Sequence, residues 1–208
     1  SLFSIRGLSN ASAIPNRDPV DFYVDGIPYN FPAFIDIDLP DLERVEVLRG
    51  PQSVLYGRNS LAGAVNLITR QPTDTVEVTG AASYSSYNDL DLSTSVSGPI
   101  IEDELFFRMS GSYGSRDGYL RNTLLDDGVN EESGGSGRGK LLWTPSDNLE
   151  IALNASFDDH RDGAGAYVIL DSDPFETEQD VNGFSDLVSN AQGLRIAYTH
   201  PDFQFTSI

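Results

Sequence analysis

From Val76 onward the chain alternates apolar and polar residues with a period of two, the signature of strands with one dry face and one wet face. Val76, Val78, Gly80, Ala82 and Tyr84 share one parity, and Glu77, Thr79, Ala81, Ser83 and Ser85 hold the other. The rhythm returns at Leu90, Leu92, Thr94 and Val96, at Leu105, Phe107, Met109, Gly111 and Tyr113, and at Leu141 and Trp143. It returns again at Leu149, Ile151, Leu153, Ala155 and Phe157 and at Leu194, Ile196 and Tyr198, and a seventh strand begins at Phe203. Within these segments every charge sits on the polar parity, where only Phe106 and Leu142 place a large apolar side chain. The pattern predicts six or seven antiparallel strands. Their apolar face could pack on a soluble core or meet lipid, and parity alone leaves both open.

Connection lengths favour lipid. Ser86 to Asp89 and Gly98 to Asp103 are short, Gly118 to Ser136 is long, Pro145 to Asn148 is short, Asp159 to Asn190 is long and Pro201-Asp202 is short. From the second gap onward tight and extended connections alternate, as they do in outer-membrane barrels with short inner turns and long outer loops. A strand such as Val76 to Tyr84 extends about 30 Å at about 3.3 Å per residue, or about 21 Å of height at a tilt near 45°. That is close to the apolar band of about 25 Å. Tyr84, Tyr113, Trp143, Phe157 and Tyr198, near strand ends, suit its interfacial girdles.

Before about Thr73 the pattern changes. Asp21 to Val24 and Ile27 onward flank Asp25-Gly26, a pair that accepts the positive φ angles of a two-residue hairpin turn. Val45 to Leu48 reads as a strand. Pro51 at a first helical position and Gly57 just past a last one predict a short helical turn, and Ala64 to Thr69 reads as another strand. The fold class is therefore a mixed α/β globule followed by antiparallel barrel strands, with the boundary between residues 1–73 and 74–208. The opening Ser1-Leu2-Phe3 and the close at Phe205-Thr206-Ser207-Ile208 read as cuts within a longer chain.

Composition narrows the chemistry. The 208 residues carry 13 Lys and Arg against 32 Asp and Glu, a net charge of −19. Such an excess gives no electrostatic reason to meet a phosphate backbone, so nucleic acid is excluded as a partner. Nineteen glycines, eleven phenylalanines and nine tyrosines argue against a helical bundle. With no cysteine there is neither a disulfide nor a thiolate site, and with only His160 and His200 a zinc enzyme is implausible. Ser53 lies in Pro-Gln-Ser-Val-Leu, outside any Gly-x-Ser-x-Gly elbow, and reads as a helix-turn hydroxyl. Gly134-Gly135-Ser136-Gly137 has no Lys-Ser/Thr after it and reads as a loop. No enzymatic chemistry is expected.

Ile5-Arg6-Gly7, Val20 to Gly26, Leu42 to Asn59 with its Leu-Arg-Gly-Pro-Gln-Ser-Val-Leu-Tyr-Gly core, and Gly63 to Pro72 together resemble the plug domain of TonB-dependent outer-membrane receptors. The resemblance implies the later part of a plug followed by the first strands of a barrel of about 22 strands, whose lumen is wide enough to hold one. It implies active import across the outer membrane of a Gram-negative bacterium, driven through the TonB energy-coupling complex. The commonest cargo is a metal chelate such as a ferric siderophore; cobalamin, haem, nickel and oligosaccharide remain alternatives. So do a surface receptor devoted to signalling and a soluble β-rich binding module.

The resemblance also assigns residues. Arg6 and Arg49 stand where plug arginines pair with glutamates of the barrel wall. The loops Ser9 to Asn16, with Asn10, Ser12 and Asn16, and Tyr29 to Phe34, with Tyr29, Phe31 and Phe34, stand where the substrate is met. Pro28 and Pro32 would hold the second loop extended, and its aromatic faces suit a chelate. Nine acids lie between Asp158 and Asn190 against Arg161 alone. They read as a solvated acidic loop, with Ca2+ binding, or Ca2+ bridging to lipopolysaccharide, as the functional alternative. His160, beside Asp158 and Asp159, reads as exposed, with haem ligation as the functional alternative. No resident cofactor or metal is otherwise expected, and membrane lipid is a further partner.

Overall fold

The computed structural model describes residues 4–5, 8–9, 20–29, 41–50, 63–163 and 173–208. The chain divides into two compact units, Ser1–Gln71 with Arg195–Ile208, and Pro72–Leu194.

In the first unit the short strands β1 (Ser4–Ile5) and β2 (Leu8–Ser9) pair antiparallel. A four-stranded sheet is built from β3 (Val20–Val24), β4 (Ile27–Tyr29), β5 (Leu42–Arg49) and β6 (Gly63–Thr69), in the order β4-β3-β6-β5. The central pair, β3 and β6, is parallel. Such a pair is covered on both faces, which is why neighbouring Phe22 and Tyr23 are both buried, along with Val20, Ala64 and Val65. The hairpin between β3 and β4 forms as its sequence predicts, with φ of 51° at Asp25 and 80° at Gly26. Asp25 also ties the turn to the end of β6, because its Oδ1 accepts the Thr69 amide at 3.0 Å and its Oδ2 the Thr69 hydroxyl at 2.7 Å. The helical turn expected at 51–57 lies outside the described residues.

The predicted alternating segments are all strands of one sheet. They are β7 (Glu77–Ser85), β8 (Asp89–Ile101), β9 (Leu105–Arg116), β12 (Glu132–Ser146), β13 (Leu149–Gly163), β15 (Phe184–His200) and β16 (Phe203–Ser207). They lie side by side in chain order as a meander. Between them fall three short strands, β10 (Leu120–Asn122), β11 (Asp127–Val129) and β14 (Glu176–Thr177), which form a separate sheet in the order β11-β10-β14. No helix among the described residues is long and apolar enough to cross a membrane; barrel strands cross without one.

Register aligns the parities across strands. Val78 faces Val96, Val96 faces Met109, Met109 faces Gly139 and Gly139 faces Ala155. Many apolar members of this parity are exposed: Val78 is 73% exposed, Met109 59% and Phe157 52%. Gly135, opposite Tyr113, and Trp143 mark the two aromatic ends on β12, about 26 Å apart along the strand at about 3.3 Å per residue. Phe106 and Leu142, the two exceptions to the pattern, face each other on the opposite side of the sheet, with Pro99 beside Phe106.

Four expectations need correction. The strands run further than their alternating cores: β12 begins at Glu132 and β15 at Phe184, so both long connections are shorter than predicted and carry strands of their own. The Gly134–Gly137 stretch is not a loop but part of β12, hydrogen-bonded on both sides. Pairing with two neighbours overrides its low strand propensity. A Cβ at Gly134 would lie 2.5 Å from His160 Nδ1, so the glycine makes room for the imidazole opposite. Asp159, His160 and Asp162 likewise belong to β13, beyond Asp158, rather than to a loop. His160 is half-buried, not exposed, with no hydrogen-bond partner for its enclosed Nε2.

Candidate functional site: the polar face of the sheet and its outer end

Alternation that sends Val, Met and Leu to one side sends Ser, Thr and charge to the other, and register turns that into rows. Ser95, Ser110, Arg138 and Ser156 form one row across β8, β9, β12 and β13, and Ser93, Ser112, Ser136 and Asp158 form the next. Hydroxyls bridge neighbouring strands, Thr79 to Ser95 at 2.8 Å and Ser112 to Ser136 at 2.7 Å. Ser83 and Ser85 donate to Asp91 and Asp89 on β8.

Several of the charges on this face are paired. Arg138 Nη2 reaches Asp158 Oδ1 at 3.1 Å, and Ser189 on β15 donates to Asp158 Oδ2 at 3.0 Å. The Arg138 side chain is 9% exposed and that of Asp158 not at all. Arg108, also buried, lies 3.6 Å from Glu77, and Arg116 Nη2 donates to Glu132 Oε1 at 2.5 Å. Asp158 is thus committed to an arginine and a hydroxyl. Among the described residues no three acidic or histidine side chains converge as a metal would require.

A second polar clasp stands where the chain enters the sheet. The amide and the hydroxyl of Thr73 meet Ser97 Oγ at 2.9 and 2.8 Å, and Ser97, fully buried, donates to the Phe107 carbonyl at 3.0 Å.

Chain direction separates the two ends of the sheet. Arg116, Glu132 and Asp162 are register partners, so β9, β12 and β13 all meet the long connections at one end. The tight turns at 102–104, 147–148 and 201–202 lie at the other. At the long-connection end the Asp126 carboxylate raises the pKa of the Arg121 guanidinium, mainly through their hydrogen bond. On β5 the hydrogen bond to Glu46 does the same for Arg44, with the charge of Glu46 and then Glu43 adding to it.

Of the residues predicted from sequence, Arg6, Asn10, Ser12, Asn16, Phe31 and Phe34 lie outside the described residues. Tyr29 ends β4, paired with Phe22 across the hairpin. Arg49 ends β5 opposite Gly63, with its side chain exposed. The structure thus describes only Tyr29 of the predicted substrate residues. It brings together Arg138, Asp158 and Ser189, and Thr73 and Ser97, which sequence reasoning missed. Parity held the signal for the first group, since Arg138 and Asp158 share the wet face, but ending β13 at Asp158 hid it.

Residues 1–64 match the family model of the TonB-dependent Receptor Plug Domain. The pesticin receptor of Yersinia pestis is 32% identical over 170 residues, which are 81% of this chain and 25% of that protein. The metal-pseudopaline receptor CntO of Pseudomonas aeruginosa is 33% identical over 126 residues, 61% of this chain and 13% of that one. Among solved structures, the ferric yersiniabactin uptake receptor FyuA from Yersinia pestis superposes with a TM-score of 0.84 at 28% identity, covering 98% of this chain and 33% of its own. The chain spans about a quarter of the length of the pesticin receptors it matches.

Proposed function

Because the chain belongs to the TonB-dependent receptors, we propose that it is the plug-to-barrel part of an importer that takes up a metal chelate, a ferric siderophore above all, across the outer membrane of a Gram-negative bacterium. Residues 1–73 are plug and residues 74–208 barrel wall in this reading. The observation that carries it is the meander of seven strands, apolar on the exposed face and serine-rich with paired charges on the other, following a segment that matches a plug. A wall of that make separates lipid from a wet lumen. The named cargoes of the relatives, yersiniabactin and pseudopaline among them, support a metal chelate.

The TonB complex supplies the pull, and this chain supplies a path and no covalent chemistry. Arg6 and Arg49 hold the plug through carboxylates of the wall. Asn10, Ser12, Asn16, Tyr29, Phe31 and Phe34 meet the chelate, and lipid and lipopolysaccharide surround the wall. The test is deletion of the full-length gene followed by uptake of radiolabelled ferric chelates in iron-starved cells, with and without a protonophore. Uptake that falls on deletion and with the protonophore supports the reading. Unchanged uptake of every chelate tried, with the wild-type protein abundant in the outer membrane, overturns it. Alanine at Arg6 and Arg49 together is expected to alter transport at normal protein levels, and unchanged transport would remove that pair from the mechanism.

A further inference from the structure

The turn 86–88 and the segments 117–131 and 173–183, all at the long-connection end of the sheet, are joined to one another by hydrogen bonds, strand pairing and a ring contact. We propose that they form one cooperative cap, keyed by Asn122, which orders and loosens as a unit. Its bearing on ligand capture rests on the import reading above; the cap itself does not.

Asn122 has no solvent exposure. Its Nδ2 donates to the Gln179 carbonyl at 2.8 Å and to Asn182 Oδ1 at 2.9 Å, and its Oδ1 accepts the amides of Leu124 at 3.1 Å and Gln179 at 3.3 Å. All four hydrogen-bonding positions of the carboxamide are used, three of them on the other connection. The backbone repeats the union: β10 pairs with β14 in parallel, and the Arg121 and Thr123 amides reach the carbonyls of Phe175 and Thr177, each at 2.9 Å. Asn182 Nδ2 continues to Asp127 Oδ2 on β11 at 3.0 Å. Leu120, Val129 and Thr177 are buried, so the assembly has a small core of its own.

The turn 86–88 is drawn in from the other side. Tyr87 and Asn88 hold φ of 65° and 52°, a conformation that asparagine tolerates and tyrosine adopts at a cost, which the contacts of the turn offset. The Tyr87 carbonyl accepts the Asp117 amide at 2.9 Å, and Asn88 Nδ2 donates to Asp117 Oδ2 at 2.5 Å. The Tyr87 ring meets Tyr119 edge-on at 6.4 Å, and the Arg116 guanidinium lies over Tyr119 at 5.2 Å. Contacts spread over segments this distant in sequence form only after the strands have brought their ends together, so each segment depends on the others.

The test is hydrogen exchange by mass spectrometry on the full-length receptor in nanodiscs without ligand. In the wild type, peptides covering 86–88, 117–131 and 173–183 are expected to share one opening rate. Asn122→Ala is expected to raise exchange in all three by about tenfold or more, the equivalent of a single net hydrogen bond, with β9, β12 and β13 unchanged. Loosening confined to 117–131 overturns the proposal. Should Asn122→Ala fold poorly, Asn182→Ala removes one partner of each of Asn122 and Asp127. It is expected to loosen 117–131 and 173–183 together, and loosening of 173–183 alone overturns the proposal equally. Failure of the import reading leaves these exchange results untouched, so the two are separable. Common loosening with unchanged chelate uptake would overturn the link to capture.

Discussion

Asp158 is enclosed by the sheet, and its two partners come from the strands on either side of it, Arg138 from β12 and Ser189 from β15. Removing one member of a buried pair strands the other, which costs about 3 to 5 kcal/mol. Asp158→Ala is therefore expected to lower the temperature at which the full-length receptor loses its heat-modifiable gel mobility, while Asp159→Ala, on the exposed face beside Arg161, is expected to leave it within a degree or two. Equal shifts would show that the pair does not hold the wall. Sequence could place Arg138 and Asp158 on one parity. It could not supply the register that sets Arg138 diagonally beside Asp158, because the partner across a sheet is fixed by pairing and not by local composition. Asn122 was equally hidden, since nothing in Leu-Arg-Asn distinguishes a buried carboxamide from an exposed one. The predicted contacts Asn10, Ser12, Asn16, Phe31 and Phe34 fall outside the described residues, so the legible part of the site is its wall rather than its ligand.

At the level of the strand, face was readable and length was not. Val78, Leu92, Met109, Leu141 and Leu153 are all exposed on the side that alternation assigned to lipid. Met109→Lys is expected to destabilise folding into bilayers by about 2 to 4 kcal/mol, as for a cation near the bilayer midplane, and Ser110→Lys, one residue on and facing the wet side, to cost much less. The two variants need only a denaturant titration in liposomes, and equal costs would place the apolar face against protein instead. The strand ends escaped prediction because they leave the apolar band, where no lipid enforces alternation. There Asp159 and Arg161 share the outward parity of Phe157 and pair with each other at 3.4 Å. Gly134 to Gly137 misled for a different reason: glycine is a turn signal locally, yet in β12 it clears space for the His160 ring.

For the molecule as a whole, the sheet of described residues ends in two edges, β7 and β16, with unpaired backbone groups along each. Open edges do not persist in hydrocarbon. The 208-residue chain produced by itself is expected to associate through these edges and give no monomeric heat-modifiable band, whereas the full-length receptor gives one; a sharp monomer from the chain alone would argue for closure by these strands. Part of the charge behind the net −19 is paired on the strands themselves, Arg108 with Glu77, Arg138 with Asp158 and Arg161 with Asp159.

The stretch from Thr69 to Thr73 has very little slack. On one side Asp25 grips Thr69, and the Asp41 carbonyl accepts the Arg70 amide at 2.9 Å; on the other, Ser97 grips Thr73. Only Gln71 and Pro72 lie between the two grips, and a pair of residues can reach no more than about 7 Å, with the proline ring removing one of the torsions that would let it swing. A tug transmitted along the backbone cannot be absorbed by paying out line at this seam. It must either open a grip or unravel strands farther upstream, so the seam behaves as a short leash whose two knots decide what gives way first.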